Sequence, residues 1–122
     1  MALSLKTGVR GAFAVPVSAP SVIEQLAHEK GCSVRRTKSA ERSMIEAAQS
    51  SEVIMAGSMD GRFAFPKFQA AFDGMFTIAK TIELAAAAEI PLSRILDDIP
   101  RRTFLQGRVP CVWDMKGGSC AR

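Results

Sequence analysis

The sequence predicts an α/β domain of three-layer type: a mixed four-stranded sheet, three strands parallel and one antiparallel, flanked by helices. Three observations carry this. Strand-like apolar runs alternate with helical patterns in the order strand, helix, strand, helix, strand, which calls for right-handed crossovers between parallel strands. A polar turn over residues 57–62 separates the third apolar run from a fourth, Phe63-Ala64-Phe65, and so short a connection makes the fourth strand return antiparallel. A chain of 122 residues with 48% hydrophobic and 23% charged content suits one globular domain with a core on one sheet.

The elements follow in order. Ala12-Phe13-Ala14-Val15-Pro16-Val17 is apolar without alternation, as in a strand covered on both faces, and Pro16 belongs near its end because it has no N–H for the ladder. Ser18 or Ala19 is then expected to cap a helix, with Pro20 at its first position. That helix, residues 21–30, places Val22, Ile23, Leu26 and Ala27 on one face and ends at Gly31. Residues 32–37 form a less apolar strand expected near an edge. A second helix over residues 40–49 carries Met44, Ile45, Ala47 and Ala48, and Val53-Ile54-Met55 makes the third strand. From residue 72 to about 88, Met75, Ile78, Ala79, Ile82, Ala85 and Ala86 recur at the spacing of a buried helical face, with Asp73 in the first turn. Ile90-Pro91 breaks this helix, and a short one, residues 92–96, follows before Pro100.

The tail reads differently. Val109, Val112, Trp113 and Met115 resemble a strand with no partner elements, and a lone strand is not stable. The expected organisation is therefore an N-terminal extension over residues 1–10, frayed at its start, a domain over 11–100, and a linker with the start of a truncated following domain over 101–122. Cys32, Cys111 and Cys120 are odd in number and form no C-x-x-C pair, which favours reduced thiols and a cytoplasmic protein over a disulfide scaffold or zinc site. No apolar run reaches the ~18 residues of a membrane span, so no membrane partner is expected.

If the first three strands are parallel, their carboxyl ends share one edge, where open α/β sheets bind ligands. Three loops converge there, contributing hydroxyls (Ser18, Ser39, Ser58), cations (Lys38, Arg62) and a carboxylate (Asp60). Hydroxyls and carboxylates suit sugar hydroxyls; cations suit phosphate, which Arg can grip bidentately. No G-x-x-x-x-G-K-[ST] or G-x-G-x-x-G motif, metal-ligand cluster or catalytic triad is present. The one histidine, His28, falls within a helix and reads as a surface residue. The formal net charge of +4 suits an anionic ligand. Arg35, Arg36 and Lys38 lack the stacking platform that a nucleic-acid partner needs.

Beyond these physical readings, the run Ile54-Met55-Ala56-Gly57-Ser58-Met59-Asp60-Gly61-Arg62-Phe63-Ala64-Phe65-Pro66, followed by Phe72-Asp73-Gly74-Met75 and a helix running to Pro91-Leu92-Ser93, resembles the third domain of the α-D-phosphohexomutases, the phosphomannomutase/phosphoglucomutase family. The resemblance extends over residues 11–100. It implies a sugar-recognition loop of G-E-x-[SN]-G-H type, in which Ser58 stands at the Glu position, Asp60 at the Ser position and Arg62 at the His position, while Gly61 matches. Ser18 stands where a basic residue is usual, and Ala40 near a histidine of some members. The resemblance further implies a hexose phosphate ligand, read by Ser58, Asp60, Gly61, Arg62, Ser18 and Lys38. Phosphate would move between C1 and C6 of the hexose in the intact parent, whose phosphoserine and Mg²⁺ lie in domains absent here. No catalytic residue, metal ligand or cofactor is assigned to this chain itself, and the other domains of the parent are its expected partners. A second reading of the same resemblance is a degenerate mutase-like binding or regulatory domain fused to a mannose-1-phosphate guanylyltransferase-type nucleotidyltransferase.

Overall fold

The computed structural model describes residues 2–89, 91–97 and 99–100, with isolated positions 103, 105, 107, 110, 112 and 113 beyond them. The strand expected around residues 109–115 lies largely outside the described residues, as do Cys111 and Cys120. Among the described positions there, Val112 and Trp113 are exposed.

The chain begins with helix α1 (Ala2–Lys6), followed by β1 (Ala12–Pro16), α2 (Val22–His28), β2 (Ser33–Thr37) and α3 (Glu41–Ala48). Then come β3 (Val53–Gly57), β4 (Phe63–Phe65), β5 (Gln69–Phe72), α4 (Gly74–Ala88) and α5 (Leu92–Asp97). The sheet order is β2-β1-β3-β4-β5. β1 pairs in parallel with both β2 and β3; β4 is antiparallel to β3 and to β5. As its unbroken apolar run implies, every residue of β1 is buried. On one face Ala12 and Ala14 pack with Ala48, Val53, Ala56 and Ala64 beneath α3, and small side chains let that helix lie close. On the other, Phe13 packs with Leu5 of α1, Ala27 of α2, Cys32 and Met55. Helices therefore cover both faces of the sheet.

Several expectations need correction. The sheet has five strands, not four. The extra strand, β5, consists of Gln69, Ala70, Ala71 and Phe72, whose composition has little β character; it forms because a tight turn, with the Phe68 N–H donating to the Phe65 carbonyl at 2.9 Å, brings it back against β4. Residues 2–6, expected to fray, form α1 with Leu5 in the core. α2 starts at Val22, slightly later than expected: Ser21 precedes it without a side-chain cap bond, and the Pro20 carbonyl accepts from the Ile23 N–H. Gly31 follows that helix in the left-handed region, φ 67°, as anticipated.

The largest correction concerns α4. It starts after residue 73, not at 72: Asp73 is its N-cap, and the Asp73 carboxylate accepts from the Phe76 N–H at 2.9 Å. The face predicted to be buried points outward, with Met75 at 85% exposure and Ile78 and Ile82 at 65%. Leu84 is buried instead, with Phe76, Thr77 and Lys80 partly so. A helix apolar nearly all round gives periodicity no means of choosing a face. The aromatic contacts of Phe76 make the choice: it meets Phe65 edge-on with centroids 5.4 Å apart and stacks on Phe68 at 4.0 Å.

Two substitutions test this packing by chemical denaturation. Phe13→Ala empties the space under β1 and should remove about 3–5 kcal/mol of stability. Asp73→Ala orphans the first turn of α4 and should cost about 1 kcal/mol, with helical circular dichroism lost before the sheet unfolds.

Candidate functional site at the sheet edge

Because β1, β2 and β3 run in one direction, the connections leaving Pro16, Thr37 and Gly57 all open at one edge of the sheet. Each is shaped differently. After β1 the chain turns at once, the Ala19 N–H donating to the Pro16 carbonyl at 2.9 Å, and Ser18 is left exposed without a hydrogen bond to the described residues. Arg36 of β2 holds this turn: one guanidinium nitrogen donates to the carbonyls of Pro16 (2.9 Å) and Ala19 (2.6 Å), and Arg36 also pairs with Glu24 of α2 at 2.5 Å. The sequence reading placed Arg36 only in a basic cluster. Its position was legible from alternation, since Arg36 shares the inward-tending side of β2 with Val34 while Ser33 and Arg35 are exposed. After β2, Lys38 is exposed and forms no ion pair among the described residues.

The loop after β3 closes on itself. Its ends are joined by the Ser58 N–H donating to the Arg62 carbonyl at 2.9 Å, and the Arg62 N–H donates to Ser58 Oγ at 3.2 Å. Gly61 makes the turn with φ 84°, a conformation that a side chain would strain. Gly57 is needed for another reason: a Cβ there would lie 2.9 Å from the ring of Phe63, its partner across the antiparallel pair. Within this frame Ser58 Oγ donates to Asp60 Oδ1, and Arg62 Nε donates to Asp60 Oδ2 at 2.8 Å. Arg62 Nη1 donates to Glu41 Oε2 at 2.6 Å, and the guanidinium carbon sits 5.1 Å from the centroid of the Phe72 ring. Glu41, in the first turn of α3, was not singled out from sequence; no local motif links a helix N-terminus to a loop 21 residues later.

These contacts set the charge states. The Ser58 hydroxyl, then the Arg62 cation, hold the Asp60 carboxyl below the usual carboxylate range. The Glu41 hydrogen bond, then Asp60, push Arg62 further up. The site at neutral pH therefore carries ionised Asp60 and protonated Arg62. Asp60 and Glu41 both face Arg62 instead of converging on an open position, and among the described residues no group of three or more His, Cys, Asp or Glu could hold a metal. This donor set does not fit Mg²⁺.

A parallel-stranded α/β layer with a hydroxyl- and carboxylate-bearing loop at its carboxyl edge defines a ligand-recognition domain. The family model described as phosphoglucomutase/phosphomannomutase, alpha/beta/alpha domain III, matches residues 2–103, and the chain belongs to that family. A relative from Methanosarcina barkeri (strain Fusaro / DSM 804), named as a probable phosphoglucosamine mutase, is 28% identical over 110 residues, covering 90% of this chain and 24% of the relative. A phosphoglucomutase/phosphomannomutase from Thermococcus kodakarensis is 25% identical over 91 residues, covering 75% of this chain and 20% of that protein. The chain thus spans a quarter or less of the length of these relatives. A crystal structure described as a phosphomannomutase from Thermus thermophilus shares the fold, with a TM-score of 0.70 at 18% identity over 80% of this chain and 24% of its own.

The electrostatics of Asp60 can be followed directly. A carboxylate with a lowered folded pKa contributes stability that is present above its unfolded value and is lost as pH falls through the folded one. Carboxyl-carbon NMR should show Asp60 titrating below the unperturbed value of ~3.9. Ser58→Ala should move that titration upward, and Arg62→Ala should do so by less. An unchanged Asp60 curve in both variants would contradict the loop geometry.

Proposed function

We propose that this chain is a sugar-phosphate-recognition domain, binding a hexose phosphate through Ser58, Asp60, Gly61 and Arg62, with Ser18 and Lys38 on the two neighbouring loops. The observation that carries this reading is the convergence of the three loops on one sheet edge, around a carboxylate held ionised. An ionised Asp60 is an acceptor only, with lone pairs left after Ser58 and Arg62 are served, and sugar hydroxyls are donors of matching kind. Ser18 adds a free hydroxyl able to donate or accept. Lys38, an ammonium without a carboxylate partner among the described residues, is suited to a phosphate oxygen.

Family membership and the names of the relatives support a hexose phosphate over other polyols. In this reading the chain binds and orients the sugar, and phosphoryl transfer belongs to the intact parent, with Mg²⁺ and the phosphorylated serine supplied by its other domains. Gly57 and Gly61 hold the loop in a shape set before ligand arrives, so little ordering opposes binding.

Titrating the chain with glucose 6-phosphate, followed by amide NMR at millimolar ligand, should shift residues 57–62 together with Ser18 and Lys38. Asp60→Ala should weaken binding by about tenfold, the worth of a hydrogen bond to a charged group. Lys38→Ala should weaken glucose 6-phosphate but leave glucose unaffected. Shifts confined to other parts of the surface would exclude this edge as the sugar site.

A further inference from the structure

Three arginine or lysine side chains lie near the edge where the ligand is proposed to bind, but they are not equivalent. Arg36 is consumed in holding the first loop. Lys38 has no ion-pair partner among the described residues. Arg62, the one cation in the loop itself, is enclosed: Asp60 occupies its Nε and Nη2 edge, with both nitrogens 2.8 Å from Oδ2, Glu41 takes Nη1, and the Phe72 ring covers a face. A guanidinium grips phosphate by presenting two parallel N–H groups, and here the Nε/Nη2 pair already faces a carboxylate. The charges of Asp60, Glu41 and Arg62 sum to minus one, so an anion approaching Arg62 meets two carboxylates for one cation.

We infer that Glu41 is a specificity-determining residue for this site: by pairing with Arg62 it cancels the loop's only cation, makes the loop a reader of hydroxyls, and sends the phosphate end of the ligand away from Arg62 toward Lys38. This rests on the sugar-phosphate reading above. Its physical basis is local. Glu41 stands in the first turn of α3, where the positive end of the helix favours a carboxylate, so it is held in place independently of the loop. Arg62 is 47% exposed at its side chain, so charge compensation, not burial, is what withholds it from solvent anions. The loop and α3 are thereby joined by one ion pair, and Arg62 acts as a strut that orients Asp60.

Inorganic phosphate is the probe, titrated at constant ionic strength against the 122-residue chain while the Nε–Hε resonance of Arg62 is followed by NMR. In the wild type phosphate should leave that resonance in place. Glu41→Gln keeps an acceptor for Nη1 but removes the charge; phosphate should then shift the Arg62 resonance and bind there about two- to fivefold more tightly, the range of an exposed ion pair. Glu41→Asp, which restores the charge, should behave as wild type, a result that a purely structural role for the side chain would not give. A wild-type Arg62 that responds to phosphate as strongly as the Glu41→Gln variant would overturn the inference, as would an Arg62 silent in both. Glucose alone, titrated in parallel, reports on the sugar-recognition reading separately: a loop that ignores glucose and glucose 6-phosphate refutes that reading, whereas the phosphate series decides the role of Glu41.

Discussion

The arrangement depends on β1 lying between two parallel neighbours with both of its faces covered. Phe13 points into one layer and Ala12 and Ala14 into the other, so a single strand of five residues belongs to both halves of the core. Its parallel pairing with β2 and β3 is what sends three connections to the same edge. The alanines beneath α3 and the large Phe13 on the opposite side make the two layers unequal: one is a close helix-to-sheet contact, the other a thicker layer filled by Leu5, Ala27, Cys32 and Met55. The site is a consequence of this topology before it is a consequence of any one polar residue.

At the edge, the polar side chains are more strongly tied to each other than a list of residue types suggests. Ser58, Asp60 and Arg62 satisfy one another within a loop closed by its own backbone, and Glu41 reaches in from a helix on the alanine-rich side. These pairs are exposed, and exposed pairs contribute little to global stability. Their effect is on orientation and local charge. Arg36 plays the corresponding part for the first loop, fixing two carbonyls that would otherwise face solvent. Each of the two arginines spans elements distant in sequence, joining a loop or strand to the first turn of a helix.

Much of this was legible from the sequence, for identifiable reasons. The parallel strands and the order of elements followed from hydrophobic runs alternating with helical periods. The loop followed from Gly57, Ser58, Asp60 and Gly61 set between apolar segments. β5 was not legible because Gln69, Ala70 and Ala71 carry no strand signal; tertiary pairing to β4 overrides their propensity. The orientation of α4 failed because Met75, Ile78 and Ile82 match a core-facing period as well as Phe76 and Leu84 do, and only the Phe65 and Phe68 contacts distinguish them. Glu41 and Arg36 were invisible in their true roles because long-range ion pairs leave no spacing rule.

The outward face of α4 has a consequence for how the chain behaves in bulk. A helix of 15 residues is ~22 Å long, and Met75, Ile78 and Ile82 line its solvent side one turn after another. Water around such a ridge gains entropy when two ridges meet, and that gain diminishes on cooling. Colloidal behaviour is thus set by a different helix surface from the one that holds the domain together. Solutions of the chain are expected to become less prone to association as temperature falls, even while the loop at the sheet edge keeps its shape.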